Sequence, residues 1–234
     1  MDGNADKINK YISIGTPYMG SPKVPYIFST GRLLDNLLTA DLSATSAQSI
    51  AEGMKCISSH TPSVYQLLPY RYNSYATVKS SLTNIRDAEL FNGPLHLINS
   101  RGNEVSSTVK RRFINNAINF MDSLYVNGRH AAELVDSYIM VGRNVETINK
   151  VEYSTVLIEG GIVTRVAGIN YLEMTKSGDG TVPYWSASLN GKLTTINYLD
   201  RTHIGLISDN EVINDIISIG SPPMVSSPAN KPRQ

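Results

Sequence analysis

The sequence contains a single cysteine, Cys56, among its 234 residues. One cysteine excludes an internal disulfide framework and a thiolate metal site. Histidine is scarce as well, and three of the four, His60, His96 and His130, have no second ligand-type residue at metal-binding spacing. We therefore predict neither a metal nor another cofactor.

The sequence also lacks long apolar runs. No stretch of 18 apolar residues could span a membrane, and the opening residues MDGNADKINK lack the apolar core of a secretory signal. These absences leave the compartment unassigned. Apolar residues still make up 41% of the chain, which is enough for a buried core in one domain with room for an inserted subdomain.

Charge of neither sign prevails. Lys and Arg total 21, Asp and Glu total 20, and the net charge is +1. The one compact basic run, Lys110 to Arg112, is typical of the solvent-exposed face of a helix. Nucleic acid is therefore not an expected partner.

Short apolar strands alternate with helical segments along the chain, and this order predicts an α/β fold. Strands are predicted at YISI (11–14, ended by Gly15), DSYIMVG (136–142) and KLTTINYL (192–199). STVLIEGGIVTRV (154–166) is typical of a hairpin that turns at Gly160-Gly161.

Four helices are predicted from apolar spacing and capping residues. GRLLDNLL (31–38) and SAQSIAEGMKCI (46–57) are short. A longer helix is predicted, with Ser106 or Ser107 at its start and Asn127-Gly128 at its end. Its apolar stripe consists of Val109, Phe113, Ala117, Phe120, Met121 and Leu124. In the last helix, Ser208 and Glu211 match a capping box, and one apolar face is predicted to carry Val212, Ile213, Ile216 and Ile217 before Gly220.

One acidic residue stands out in KSGDGTVPYWSASL (176–189), where Asp179 lies between Gly178 and Gly180. Because glycines allow tight turns, we expect its side chain to project from a loop instead of packing in a strand. His203 follows the next strand. Reactive residues of α/β sheets lie on loops at the carboxyl ends of strands, and Asp before His is the order of an α/β-hydrolase triad.

Each of these residues also has a structural interpretation. Asp179 alone could be an ordinary turn residue, and His203 an ordinary loop histidine. The GTP segment at residues 15–17 ends a strand without a phosphate-loop lysine, so a nucleotide site is not predicted. Four tyrosines could line an acyl pocket or pack a cap: Tyr65, Tyr70, Tyr72 and Tyr75.

Four segments, in this order, resemble the lecithin:cholesterol acyltransferase-like branch of the α/β-hydrolase lipases, as found in bacteria. They are YISIGTPYMGSPK (11–23), PSVYQLLP (62–69), SGDGTVPYWSA (177–187) and HIGL (203–206). The resemblance implies that Asp179 is the acid and His203 the general base of a Ser-Asp-His triad. It also implies a lipid or small acyl ester as the substrate.

The resemblance implies a partial α/β-hydrolase sheet, built from the carboxyl-terminal strands and helices, with an inserted, mainly helical cap. On that plan residues 1–23 hold the first core strand and loop, and residues 24–135 form the cap. Residues 136–220 complete the carboxyl-terminal part of the core, and 221–234 form a flexible tail.

The nucleophile of such a triad is missing. No G-x-S-x-G elbow occurs in the sequence, and the nearest pentapeptide, IFSTG (27–31), has Ile27 in place of the first glycine. Its Ser29 follows the GTP strand, whereas the family's nucleophile precedes that strand. The oxyanion donors that accompany the elbow are missing with it.

We therefore expect the carboxyl-terminal portion of a lipase, with Met1 an internal methionine of a longer protein. The serine and the oxyanion hole would then come from another segment or chain, and this chain alone would be inactive. The alternative is a non-catalytic remnant that acts as a binding or scaffold module. A structural protein with an accidental Asp and His is the third hypothesis.

Overall fold

The computed structural model describes residues 5–32, 44–69, 76–78, 107–158 and 162–221. The strands in these ranges are β1 (Tyr11–Ile14), β2 (Ala76–Val78), β3 (Tyr125–Val126), β4 (Arg129–His130), β5 (Ser137–Arg143), β6 (Thr147–Ile158), β7 (Ile162–Thr175) and β8 (Thr195–Leu199). The helices are α1 (Lys23–Thr30), α2 (Ala44–His60), α3 (Pro62–Gln66), α4 (Ser107–Ser123), α5 (Tyr184–Ala187), α6 (His203–Leu206) and α7 (Asn210–Gly220). Most of the helix predicted at 31–38, the Gly160-Gly161 turn and the predicted tail beyond residue 221 lie outside the described residues.

A small parallel sheet carries the core, with strand order β1-β5-β8. Its register pairs Ile14 with Met140, and Met140 with Ile196. The prediction of a mixed α/β fold is thus confirmed at this level. The last strand begins three residues later than predicted, because a turn of positive φ at Leu189, Asn190 and Gly191 precedes it.

The central strand β5 is covered on both faces, as expected for a parallel strand with an apolar run. On one face Ile139 and Val141 join a buried cluster with Tyr18, Val182 and other side chains. On the other face Met140 packs with residues of the last two helices. Burial of both faces explains why DSYIMVG shows no polar alternation.

A second sheet has the order β2-β6-β7. Strands β6 and β7 form the predicted antiparallel hairpin, which extends well beyond residues 154–166 at both ends. Its base is closed by backbone bonds from Asn144 to Lys176 (2.8 Å) and from Val145 to Gly178 (3.1 Å). The hairpin therefore leaves the parallel sheet and returns to it at nearly the same place.

Helix α4 buries Ala117 and Met121 of the predicted stripe, together with Ile114, which was not part of that stripe. Phe120, another predicted member of the stripe, is exposed. The predicted end at Asn127-Gly128 is wrong. The helix stops at Ser123, and Asn127 (φ 50°) and Gly128 (φ 78°) form the turn that joins β3 to the antiparallel β4. Positive φ at both central residues is the requirement of a tight hairpin turn, and Asn-Gly satisfies it.

The final helix has a different cap from the one predicted, and only part of its predicted apolar face is packed. Asp209 accepts from the backbone N–H groups of Glu211 (2.9 Å) and Val212 (3.4 Å), whereas the Ser208 hydroxyl donates to Gly205 O. Asp209 is the stronger acceptor because its carboxylate is charged. The packed face carries Val212, Ile216 and Ile219, while Ile213 and Ile217 are exposed.

Truncating Leu206 should destabilise this side of the core. Its side chain is fully buried against Met140 and Val212. We expect Leu206→Ala to lower the free energy of unfolding by about 2–5 kcal/mol, because it leaves a cavity. Ile207→Ala, at the adjacent but exposed position, should change it by less than about 0.5 kcal/mol. Urea denaturation of both variants measures the difference, and equal losses would contradict this packing.

The cap of α7 predicts a dependence on pH. The Arg201 guanidinium, which donates to Asp209, holds the pKa of that carboxyl below its ordinary value of 3.8. Because the pKa of Asp209 is lower in the folded protein, this carboxylate stabilises the fold at a pH above its ordinary pKa. That stabilisation is lost as the pH falls through the lower pKa of the folded state. Asp209→Ala should therefore lower the thermal midpoint at neutral pH, and Ser208→Ala should change it less. The difference in thermal midpoint between Asp209→Ala and the wild type should become smaller as the pH falls below about 4. A difference that does not depend on pH would contradict the role of the ionised Asp209 as the cap.

Candidate functional site

The three parallel strands end at one edge of the sheet, and the candidate site is built there. Gly15 follows β1 and donates its N–H to Met140 O of β5 at 2.8 Å. After β8, Asp200 N–H donates to Arg143 O at 2.8 Å, and the chain turns at Asp200 with φ 57°. His203 then begins the short helix α6, so its ring is held just beyond the edge of the sheet.

Asp179 reaches the same edge by way of the long hairpin. The loop that carries it follows β7, which is antiparallel to β6 and belongs to the second sheet, so the expected position after a parallel strand is corrected. A parallel bridge between Val145 and Asp179 nevertheless fixes the loop just past the end of β5. Because β5 and β8 are neighbours, Asp179 and His203 meet.

The carboxylate of Asp179 is bonded through both oxygens. Its Oδ2 lies 2.8 Å from His203 Nδ1, and its Oδ1 accepts from the backbone N–H groups of Thr181 (3.0 Å) and Val182 (2.7 Å). The backbone provides one more link, since His203 N–H donates to Asp179 O at 2.7 Å. Main chain and side chain together fix the ring against the acid.

Burial differs between the two side chains. Asp179 is only 2% exposed, so the prediction that it projects from its loop is wrong. Only one of its flanking glycines has positive φ, Gly180 at 89°, and the turn folds inward with Gly180 N–H donating to Thr147 Oγ1 at 2.8 Å. The side chain of His203 is 35% exposed. An inner acid and an outer imidazole are the arrangement that a general base requires.

The contact also assigns the tautomer of the ring. A carboxylate only accepts, so the neutral imidazole carries its proton on Nδ1. Its Nε2 is then the nitrogen able to take a proton from a hydroxyl group. With this tautomer the arrangement is suited to general-base chemistry, in which the carboxylate of Asp179 would stabilise an imidazolium.

Two glycines make this contact possible. A Cβ at Gly15 would lie 2.9 Å from His203 Nδ1 and 3.1 Å from Asp179 Oδ2. A Cβ at Gly142 would lie 2.3 Å from Arg201 O and 2.8 Å from Asp179 Cβ. Larger residues at either position would push the acid, the base or the loop between them out of place.

Other candidate residues lie elsewhere. Ser29 is within helix α1, where its hydroxyl donates to Pro25 O at 2.9 Å, so it is not on a strand-to-helix turn. Asp200 accepts from Asn144 Nδ2 at 2.5 Å, and Asp209 is bonded to Arg201. Among the described residues, the His203 ring has Asp179 as its one side-chain hydrogen-bond partner.

The other histidines and tyrosines with described positions make local contacts. His60 Nδ1 is 2.8 Å from Cys56 O in α2, and the buried His130 accepts from Ala132 N–H at 3.1 Å. Tyr65 is fully buried and its ring lies 5.0 Å from that of Phe28, which favours packing over a pocket. His96, Tyr70, Tyr72 and Tyr75 lie outside the described residues. No cluster of three or more His, Cys, Asp or Glu side chains suited to a metal occurs in the described ranges.

A cavity of about 400 Å³ opens close to the site, and the sequence did not reveal it. Its lining is mostly apolar and comes from β1, α3, α4 and the loop before β5, including Ile8, Tyr11, Pro17, Leu67, Phe120 and Leu124. Thr16 and Pro17 of the lining directly follow Gly15. Phe120 of α4 lines this cavity and is 43% exposed, although Ala117 and Met121 of the same helix are buried.

No family model matches the sequence, and no curated protein matches it significantly. Within the described residues, no helix is long and apolar enough to cross a membrane.

Replacing Gly15 should break the Asp179–His203 contact. Alanine at position 15 would be strained at φ +57°, and its Cβ would contact the ring of His203. Gly128 is the control, because it has φ +78° but no atom within 4 Å of its Cβ position. Each substitution should lower stability by roughly 1–2 kcal/mol from backbone strain. Only Gly15→Ala should abolish the low-field Nδ1–H resonance of His203 in proton NMR at low temperature, and its persistence in a folded Gly15→Ala protein would contradict the geometry.

Proposed function

We propose that this chain supplies the acid and the base of a Ser-Asp-His triad that hydrolyses lipid-like or small acyl esters, or transfers their acyl group. The proposal is carried by one observation, the 2.8 Å contact between Asp179 Oδ2 and His203 Nδ1 at the carboxyl edge of a parallel sheet. The order of the two residues and the four resembling segments support it. The resemblance also supports a partial α/β-hydrolase core with an inserted cap.

The serine and the oxyanion donors would come from a segment or chain outside these 234 residues. The edge strand β1 supports this. The N–H groups of Tyr11 and Gly15 donate to Asp136 O and Met140 O of the β5 side. The backbone N–H groups of Ile12 and Ile14 therefore point away from β5, to the outer side of β1. No strand within the described ranges pairs with that edge, and a parallel strand added there would end beside Gly15 and His203.

The cavity supports an apolar acyl group as the substrate. Its volume of about 400 Å³ lies within the range of small-molecule sites, which are mostly apolar with a few polar groups. Burial raises the pKa of the Tyr18 hydroxyl in its wall far above the ordinary value, so this group stays neutral. A mostly apolar wall near the carboxyl ends of the strands suits the hydrocarbon part of an ester.

The proposed chemistry follows from the tautomer. His203 Nε2 takes the proton of the serine hydroxyl as the oxygen attacks the ester carbonyl. The same proton then passes to the departing alcohol, which leaves an acyl-serine. Water or a second alcohol, deprotonated in turn by His203, removes the acyl group and regenerates the serine. Throughout, Asp179 holds the ring and stabilises its charged form.

The test is an ester assay with and without the missing part. The purified chain should show no serine-dependent turnover of a chromogenic short-chain ester. Co-expression with the reading frame that precedes its coding region should produce turnover that a fluorophosphonate abolishes by labelling a serine of a G-x-S-x-G elbow. In that complex His203→Ala should lower kcat by roughly a thousandfold or more, with a smaller effect on KM.

The neighbouring acids provide a matched control. Asp179→Asn should lower kcat strongly, although less than loss of the whole triad. Asp200→Asn should leave kcat unchanged, because Asp200 is bonded to Asn144 and not to His203. Activity that depends on Asp200 but not on Asp179, or labelling of Ser29 in the isolated chain, would overturn the proposal. A preceding frame without an elbow, and no turnover in the complex, would favour the binding or scaffold module.

A further inference from the structure

The turn that carries Asp179 is held from outside by the segment that follows β1. The Ser21 hydroxyl donates to Thr181 O at 2.6 Å. The Lys23 ammonium donates to Thr181 Oγ1 at 3.1 Å. Two side chains from one segment thus converge on a single residue of the acid loop.

Thr181 passes this restraint to the carboxylate. Its own N–H donates to Asp179 Oδ1 at 3.0 Å, beside the bond from Val182 N–H at 2.7 Å. The turn is closed in the other direction by Asp179 N–H, which donates to Val182 O at 3.3 Å. Movement of Thr181 would therefore move the donors that occupy Oδ1.

The burial of Lys23 makes the contact informative. The residue is only 6% exposed, and Ser21 is 4% exposed. Lysine is almost never buried to this degree without specific partners, since burying an ammonium group is costly. The contact between Lys23 and Thr181 is thus a specific one, unlike the contacts of a flexible lysine on the surface.

We propose that Lys23 and Thr181 are positioning residues for the acid. They fix the turn so that Oδ1 takes two backbone N–H groups and Oδ2 is left to His203. Neither residue need touch the substrate. The catalytic consequence rests on the proposed function, whereas the positioning itself can be measured in this chain alone.

The experiment compares amide hydrogen exchange in the purified chain for Lys23→Met, Thr181→Val and Thr181→Ser. We expect the Val182 amide to exchange about tenfold faster in Lys23→Met and Thr181→Val, because each loses a hydrogen bond that restrains the turn. Thr181→Ser keeps the hydroxyl and should restore the wild-type rate. The low-field Nδ1–H signal of His203 should broaden in the first two variants and stay sharp in the third.

Two controls separate positioning from general destabilisation. Lys10→Met removes another ammonium, one that donates to Ile219 O far from the acid loop. Ser186→Ala removes other hydrogen bonds to the segment that follows β1. The Ser186 hydroxyl accepts from Met19 N–H (3.1 Å) and donates to Gly20 O (2.6 Å). Both controls should leave the Val182 exchange rate, relative to amides of β5, within about twofold of the wild type.

Two outcomes would overturn the inference. One is an unchanged Val182 rate in folded Thr181→Val, and the other is a rate in Thr181→Ser equal to that in Thr181→Val. The Thr181 pair decides the matter if Lys23→Met fails to fold. If the exchange rates behave as expected while the co-expressed complex has no ester turnover, the proposed function is wrong and the positioning role stands.

Discussion

Burial of the Asp179 carboxylate is the constraint on which the rest of the site depends. At 2% exposure the charge has lost almost all contact with water, and a buried carboxylate is tolerated only when its oxygens are bonded. Two backbone N–H groups satisfy Oδ1, and the His203 ring satisfies Oδ2. The acid loop, the turn after β8 and the glycine after β1 must therefore all be in place for both oxygens of the buried carboxylate to be bonded.

The sheet explains how three distant parts of the chain can meet these demands together. In a parallel sheet all carboxyl ends lie at one edge, so Gly15 and His203 come together although most of the chain separates them. The hairpin from Thr147 to Thr175 lies between β5 and Asp179 in the chain. Its base is closed by the bonds from Asn144 and Val145, so the length of the excursion has little effect on where Asp179 returns.

Much of this architecture was predictable, because it depends on local patterns. The apolar runs predict β1 and β5, and the spacing of Ala117 and Met121 predicts the packed face of α4. The order of Asp179 and His203 predicts that they meet. The errors arose where neighbouring residues compete for one role. Ser208 and Asp209 both suit a helix cap, and Asn127-Gly128 suits either a helix end or a hairpin turn. Tertiary packing decides such cases, and the sequence of a few residues does not.

Other features could not be predicted, since they join segments far apart in sequence. Nothing near Lys23 indicates that its ammonium reaches Thr181, and nothing near Gly142 indicates that the Arg201 backbone crosses it. The cavity likewise depends on how α3 and α4 approach β1. These contacts also give a physical reason for two of the resembling segments to occur together: GTPYMGSPK packs its glycine on the histidine and its lysine and serine on the acid turn. Residues 15–23 and the acid turn therefore form one structural unit around Asp179.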